Sequence, residues 1–187
     1  MNAPAHSDTR AEVFWLTGMS GAGKSTLADA ARARLEDAGY FVIMLDGDAV
    51  RQTTSRDLGF SADDIIENNA RIVNACASKR SEADAILVPV IAPLESARAS
   101  ARSVLSPGYS EIYVSAPLSV LSERDVKGLY ARERKGEIDN LIGVSPNAPY
   151  EVPRSPDLHI DTASETPETS IDRLVRFIDT RLGADRR

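Results

Sequence analysis

The octet Gly18-Met19-Ser20-Gly21-Ala22-Gly23-Lys24-Ser25 has the make-up of a phosphate-binding turn. Its spacing is a glycine, four residues, then Gly-Lys-Ser, which is the P-loop pattern. Gly18, Gly21 and Gly23 let the backbone curl so that successive N–H groups face inward. With the N–H groups of Ser20 and Ala22, and a helix beginning near Ser25 and Thr26, such a loop holds phosphate oxygens. Lys24 then reaches the β- and γ-phosphates, and the Ser25 hydroxyl becomes a ligand for Mg²⁺. The chemistry implied is phosphoryl transfer with ATP and Mg²⁺. A GTPase switch is the weaker reading, because the chain has no Asn-Lys-x-Asp run to read guanine.

A second group follows in Leu45-Asp46-Gly47-Asp48. It ends an apolar run, and in open parallel sheets ligands collect at the carboxyl ends of strands. Asp46 and Asp48 are therefore expected beside the bound phosphates. One carboxylate can hold Mg²⁺ through water, and one can take the proton from an attacking hydroxyl. Arg51, about one helical turn past Asp48, can aim its planar fork at an anionic acceptor.

Elements of a definite kind must position these residues. Five short apolar runs, at 13–17, 40–45, 85–91, 111–115 and 157–160, alternate with helical patterns. Phe41-Val42-Ile43-Met44-Leu45 is continuous rather than alternating, as in strands covered on both faces. Pro89 counts against the third strand, since proline donates no ladder hydrogen bond. Helices are expected over 25–38, 61–80, 95–105 and 167–182. Gly39 would stop the first, Ser61-x-x-Asp64 would cap the second, and Thr166-Pro167 would start the last. The sum is a single-domain α/β fold of the P-loop NTPase type, with a five-stranded parallel sheet and helices on both faces. Residues 1–10 read as a flexible tail and 11–187 as the kinase domain. The stretch 136–156 holds Pro146, Pro149, Pro153 and Pro156 with little periodicity, and a loop that long is usually functional.

Composition narrows the partners. A net charge of -6 disfavours a general nucleic-acid role, which needs clustered Lys and Arg. No apolar run approaches the ~20 residues needed to span a bilayer, and the first ten residues lack the apolar stretch of a signal peptide. The single cysteine, Cys76, suits a reducing cytoplasm. His6 and His159 are too few and too far apart to suggest a transition-metal site. Trp15 and Cys76 read as core.

The chain resembles the adenylyl-sulfate kinases from Val13 to about Thr162. The motifs are Phe14-Trp15-Leu16-Thr17-Gly18 into the P-loop, Leu45-Asp46-Gly47-Asp48 with Val50-Arg51, and Asp57-Leu58-Gly59-Phe60-Ser61. Glu67-Asn68, Arg124-Asp125-Val126-Lys127-Gly128-Leu129-Tyr130, Pro149-Tyr150-Glu151-Val152-Pro153 and Asp161-Thr162 continue the match. The resemblance implies transfer of the ATP γ-phosphate to the 3′-hydroxyl of adenylyl sulfate, in sulfate assimilation. It makes Asp46 the general base and puts Arg124 and Thr162 beside the ATP base. Arg51, Phe60 and Asn68 fall at acceptor-binding positions, with Phe60 on the acceptor's adenine. Asp48, Ile91, Lys127 and Leu141 fall at further acceptor positions. Residues from about 128 to 156 become a lid, and a homodimer is implied.

The chain departs from the family pattern on the acceptor side. Ile65 stands for an arginine, Asp139 for a lysine, and Leu141 for the second base-stacking aromatic. Ala92-Pro93-Leu94-Glu95 replaces the usual Ser-Pro-Tyr-Arg. A lost arginine contact costs about 2–3 kcal/mol, and one lost stacking face about 1–3 kcal/mol. Arg71 and Arg98 are the candidates to restore the charge. A kinase of the same architecture acting on another nucleotide-like alcohol, and an inactive ATP-binding regulator, are the alternatives.

Overall fold

The computed structural model of the protein describes residues 10–184. His6 and nearly all of the expected tail lie outside the described residues. The elements run β1 (Glu12–Thr17), α1 (Lys24–Asp37), β2 (Val42–Met44), α2 (Gly47–Gln52), α3 (Ala62–Lys79), β3 (Ala85–Pro89), α4 (Glu95–Leu105), β4 (Tyr109–Ser115), α5 (Leu118–Arg124), α6 (Leu129–Arg134), β5 (Leu158–Asp161) and α7 (Pro167–Ala184). The five strands form one parallel sheet in the order β2-β3-β1-β4-β5.

Central β1 explains why the apolar runs are continuous. Phe14 and Leu16 point to one face, where they pack with Leu27, Ala31 and Leu35 of α1 and Leu174 and Ile178 of α7. Val13 and Trp15 point to the other, against Ile72, Val73 and Cys76 of α3 and Ala101 and Leu105 of α4. Alternate residues thus enter two different cores, and both must be apolar. Trp15 and Cys76 are fully buried core residues, and burial pushes the Cys76 thiol up to about 12. His159 lies on β5, stacked on Tyr113 at 4.9 Å and bonded to the Ser115 hydroxyl at 2.8 Å.

Pro89 is a β3 residue after all, opposite Leu16 of β1. The Val90 N–H donates to Leu16 O, so by alternation the Pro89 nitrogen faces the β2 side. There β2 has already ended at Met44, and no ladder donor is missed. The capping signals also hold. Ser61 and Asp64 form a reciprocal capping box at α3, and the Thr166 hydroxyl accepts from Thr169 N–H at the start of α7.

The segment 128–156 is less regular. It contains α6 and a set of turns, then docks on the sheet end through Tyr150 and Glu151. Tyr150 OH meets Thr17 Oγ1 at 2.9 Å, Glu151 N–H donates to Pro93 O, and the Glu151 carboxylate accepts from Glu95 N–H at the start of α4. Beneath this junction lies Arg98, 2% exposed. Its guanidinium donates to Glu111 Oε1 (3.1 Å), Ala92 O (2.8 Å) and Glu151 O (2.7 Å). Burial raises the Glu111 carboxyl above its ordinary range, and Arg98 opposes that rise.

Removing Arg98 leaves a buried carboxylate whose one remaining cationic partner within 4 Å among the described residues is Arg102, at 3.8 Å. Arg98→Ala should therefore cost about 3 kcal/mol. Arg98→Met with Glu111→Leu should recover part of the loss, because the stranded charge goes as well. Urea denaturation of the three proteins is the measurement, and a single variant no less stable than the double would contradict the account.

Candidate active site

The P-loop spans the gap from the end of β1 to the start of α1. Gly18 is set by close approach: a Cβ there would stand 2.1 Å from the Val114 carbonyl of β4. Gly23 precedes α1 at φ 97, a left-handed conformation that glycine takes without strain. Lys24 lies folded beneath the loop, its Nζ donating to Gly18 O (2.8 Å) and Met19 O (2.9 Å). Burial holds its ammonium down to about 8, with the neighbouring Lys127 charge adding to the effect and Asp48 and Asp46 opposing it. A buried cation under inward-facing N–H groups suits a polyphosphate.

Asp46 is the N-cap of α2, a helix the apolar periodicity does not reveal. Its Oδ1 accepts from Asp48 N–H (2.8 Å) and Ala49 N–H (3.2 Å), while Oδ2 accepts from the Ser25 hydroxyl (3.0 Å). The Asp-Gly-Asp run was the available signal for this cap. Ser25 and Asp46 give one hydroxyl and one carboxylate side by side. That donor set fits Mg²⁺, which takes a few protein oxygens and keeps waters and phosphate for the rest.

Helix α2 also carries Asp48 and Arg51 to the same cleft. Asp48 is ion-paired to Lys127, which precedes α6. Arg51 donates to Gly59 O at 2.7 Å and lies 4.7 Å above the ring of Phe60, itself 56% exposed. On the facing wall, Arg124 donates to Thr162 Oγ1 (2.9 Å) and Thr162 O (2.8 Å), and Thr162 Oγ1 in turn donates to Ala22 O (3.0 Å). This ties the end of β5 to the P-loop.

A single cleft of about 810 Å³ joins these groups. Ser20, Gly21, Gly23, Lys24, Ser25 and Thr26 line one half with Arg124 and Thr162. Asp48, Arg51, Phe60, Asn68, Ile91 and Lys127 line the other. Three expected residues are not on its wall. Gly18 and Ala22 support the loop from behind, and Asp46 reaches the cleft edge through Ser25. Leu141 lines the cleft but is only 6% exposed and packs with the α1–α7 core, so it is a wall residue and not an open stacking surface.

Two expectations need correction. Arg71 is bound bidentately to Asp57 (2.6 and 2.8 Å) and also to Glu67 and Thr54 O. Arg98 is committed to Glu111 and two carbonyls. Neither lines the cleft, so neither supplies the acceptor-side charge. Asn69, Arg132, Glu165 and Ser170 line it instead, unmarked by sequence. Asn69 could have been read from its place one turn past Ile65 on α3. Asn68 and Asn69 each bury an amide oxygen with no partner among the described residues.

The Lys24 shift has a consequence for binding. Phosphates favour the ammonium, so bound nucleotide raises a pKa that stands at about 8 in the free protein. Below pH 8 the charge is already present; above it, binding must take up a proton. Affinity for an ATP analogue should fall as pH rises past 8, by up to about tenfold per pH unit. Calorimetry in buffers of different ionisation enthalpy should show proton uptake near pH 9 and little near pH 7. Equal uptake at both values would rule the mechanism out.

Known proteins share the sequence and the fold. The family model described as adenylylsulphate kinase matches residues 10–161. An adenylyl-sulfate kinase of Paraburkholderia xenovorans is 42% identical over 93% of this chain and 96% of its own. One from Halothermothrix orenii is 45% identical over 89% of each. The structure of the Mycobacterium tuberculosis APS kinase CysC in complex with AMPPNP and APS superposes with a TM-score of 0.84 at 34% identity, covering 91% of this chain and 99% of that one. A family-model match this long, with the P-loop, the Asp46 cap and Arg124 all inside it, together with relatives 42% and 45% identical over nearly the whole chain, means that the chain belongs to the adenylyl-sulfate kinase family.

Proposed function

We propose that the protein transfers the γ-phosphoryl group of ATP to the 3′-hydroxyl of adenylyl sulfate. The observation that carries this reading is the Ser25–Asp46 contact. It stands where a complete phosphate cradle meets a second half-cleft walled by Arg51 and Phe60. One cleft near the upper end of the usual ligand-pocket range, about 300–1,000 Å³, then serves donor and acceptor together.

In this reading ATP lies along the P-loop with its base between Arg124 and Thr162. Mg²⁺ held by Ser25, and through water by Asp46, would neutralise charge on the β- and γ-phosphates. Lys24 stabilises the charge that builds on the oxygens of the transferring group. Asp46 takes the proton of the 3′-hydroxyl as that oxygen bonds to the γ-phosphorus and the bond to the β-phosphate oxygen breaks. ADP and the 3′-phosphorylated acceptor leave, and Asp46 returns its proton to solvent. Phe60 offers a face to the acceptor's adenine, and Arg51, Asn68 and Lys127 engage its polar groups. Ile91 and Leu141 wall the same half. Residues 128–156 act as a lid that excludes water from the reacting phosphate. The reading includes a cytoplasmic enzyme, where ATP is supplied, acting as a homodimer; light scattering on the purified chain checks the latter.

Asp46→Asn separates the base from the cap, because an amide oxygen still accepts from Asp48 and Ala49 N–H. It should lower kcat by about 10²–10⁴-fold while leaving the melting temperature nearly unchanged. ADP release coupled to adenylyl sulfate is the readout. Wild-type turnover on another nucleotide alcohol but none on adenylyl sulfate would sink the reading.

A further inference from the structure

Five cations line the cleft: Lys24, Arg51, Arg124, Lys127 and Arg132. Lys24 and Arg124 belong to the donor half, held by P-loop carbonyls and by Thr162. Arg51 is bonded to Gly59 O, and Lys127 to the Asp48 carboxylate. Arg132 differs from all four. Its only charged partner within 4 Å among the described residues is Glu137, at 3.6 Å from Nε, and its guanidinium donates no hydrogen bond among the described residues. Both side chains are about half exposed, at 51% and 49%, and a pair this open contributes little.

The helix that carries Arg132 is firmly placed. The Asp125 carboxylate accepts from Tyr130 and Ala131 N–H at the start of α6. Tyr130, buried, donates its hydroxyl to Ser20 O of the P-loop at 2.7 Å. Leu129 and Arg132, three residues apart, share the helix face that lines the cleft. A planar five-donor fork thus projects into the cleft from a support fixed to the P-loop.

We propose that Arg132 is a specificity-determining residue that binds the anionic phosphate–sulfate end of the acceptor. This rests on the function proposed above and concerns how the same site meets its charge requirement. The acceptor bears one negative charge on its phosphate and another on its sulfate. The acceptor half meets them with Arg51 and Lys127, both already engaged, while Ile65 and Asp139 bring none. Arg71 and Arg98 are locked in internal pairs. Arg132 is the cleft cation whose donors make no hydrogen bond among the described residues, and exchanging an open pair with Glu137 for a charged ligand costs little.

The test is steady-state kinetics with each substrate varied in turn. Arg132→Ala should raise KM for adenylyl sulfate by about tenfold or more while KM for ATP stays within about twofold. The variant should also flatten the dependence of the acceptor KM on ionic strength, which a packing role would not do. Arg132→Lys, keeping the charge without the fork, should fall between alanine and wild type. An equal rise in both KM values, or no change in either, overturns the proposal while leaving the proposed function standing. A wild-type protein with no turnover on adenylyl sulfate overturns both.

Discussion

The Lys24 ammonium is the constraint on which the rest of the site turns. It is a cation withdrawn from water, satisfied only by two carbonyls of its own loop. Desolvation, with the Lys127 charge adding to it and Asp48 and Asp46 opposing it, holds its pKa down to about 8, which disfavours the charged form. The fold tolerates this because the loop lies at the carboxyl edge of a central strand buried on both faces, with α1 starting directly behind it. Gly18 must press against β4 for the loop to curl at all. An incoming phosphate replaces weak carbonyl partners with full negative charge, so the cost carried by the free protein becomes binding energy in the complex.

Asp46 shows how one side chain serves structure and chemistry together. Its Oδ1 starts α2, and that short helix sets the positions of Asp48 and Arg51. Its Oδ2 faces Ser25. The cap fixes the carboxylate's orientation, so in the proposed mechanism the oxygen that would meet Mg²⁺ and the reacting hydroxyl does not have to be ordered during the reaction. Without the cap, a helix of only six residues would have little besides Val50, packed at the core edge, to hold it.

What was legible in the sequence follows from how each element is held. β1 to β5, α1, α3, α4 and α7 were visible because burial imposes apolar patterns at strand or helix period. The P-loop was visible because its backbone demands glycine at fixed spacing. Helices α2, α5 and α6 were not, for each is six or seven residues long, too short to show a period, and α2 and α6 are started by carboxylates that accept from their first N–H groups. Arg71 and Arg98 illustrate the complementary limit. A sequence displays an arginine but not its partner, and Asp57, Glu67 and Glu111 decide that neither reaches the cleft. Arg132 is likewise unmarked, since a cleft wall contributed by α6 has no linear signature.

The contacts of the buried arginines differ from the ion pairs beside the cleft, and the difference matches what each must do. Arg80, 6% exposed, closes the end of the sheet on the carbonyls of Ala11, Leu105 and Pro107. Arg98 closes the junction where residues 128–156 rejoin the sheet. Breaking such buried contacts costs about 3–5 kcal/mol, so these arginines stay in place through a catalytic cycle. Around the cleft the pairs are open: Asp48 and Lys127 are each about half exposed, as are Arg132 and Glu137. An open pair contributes about 0–1 kcal/mol, which is small beside a charge-assisted bond to phosphate or sulfate. Arg80 and Arg98 thus hold the frame through contacts too costly to exchange, while the open pairs beside the cleft are ones that a charged ligand can displace. Arg51, resting on Phe60 and Gly59 O, lies between the two. It stays beside the acceptor's expected ring while its remaining donors are free to turn toward the anion.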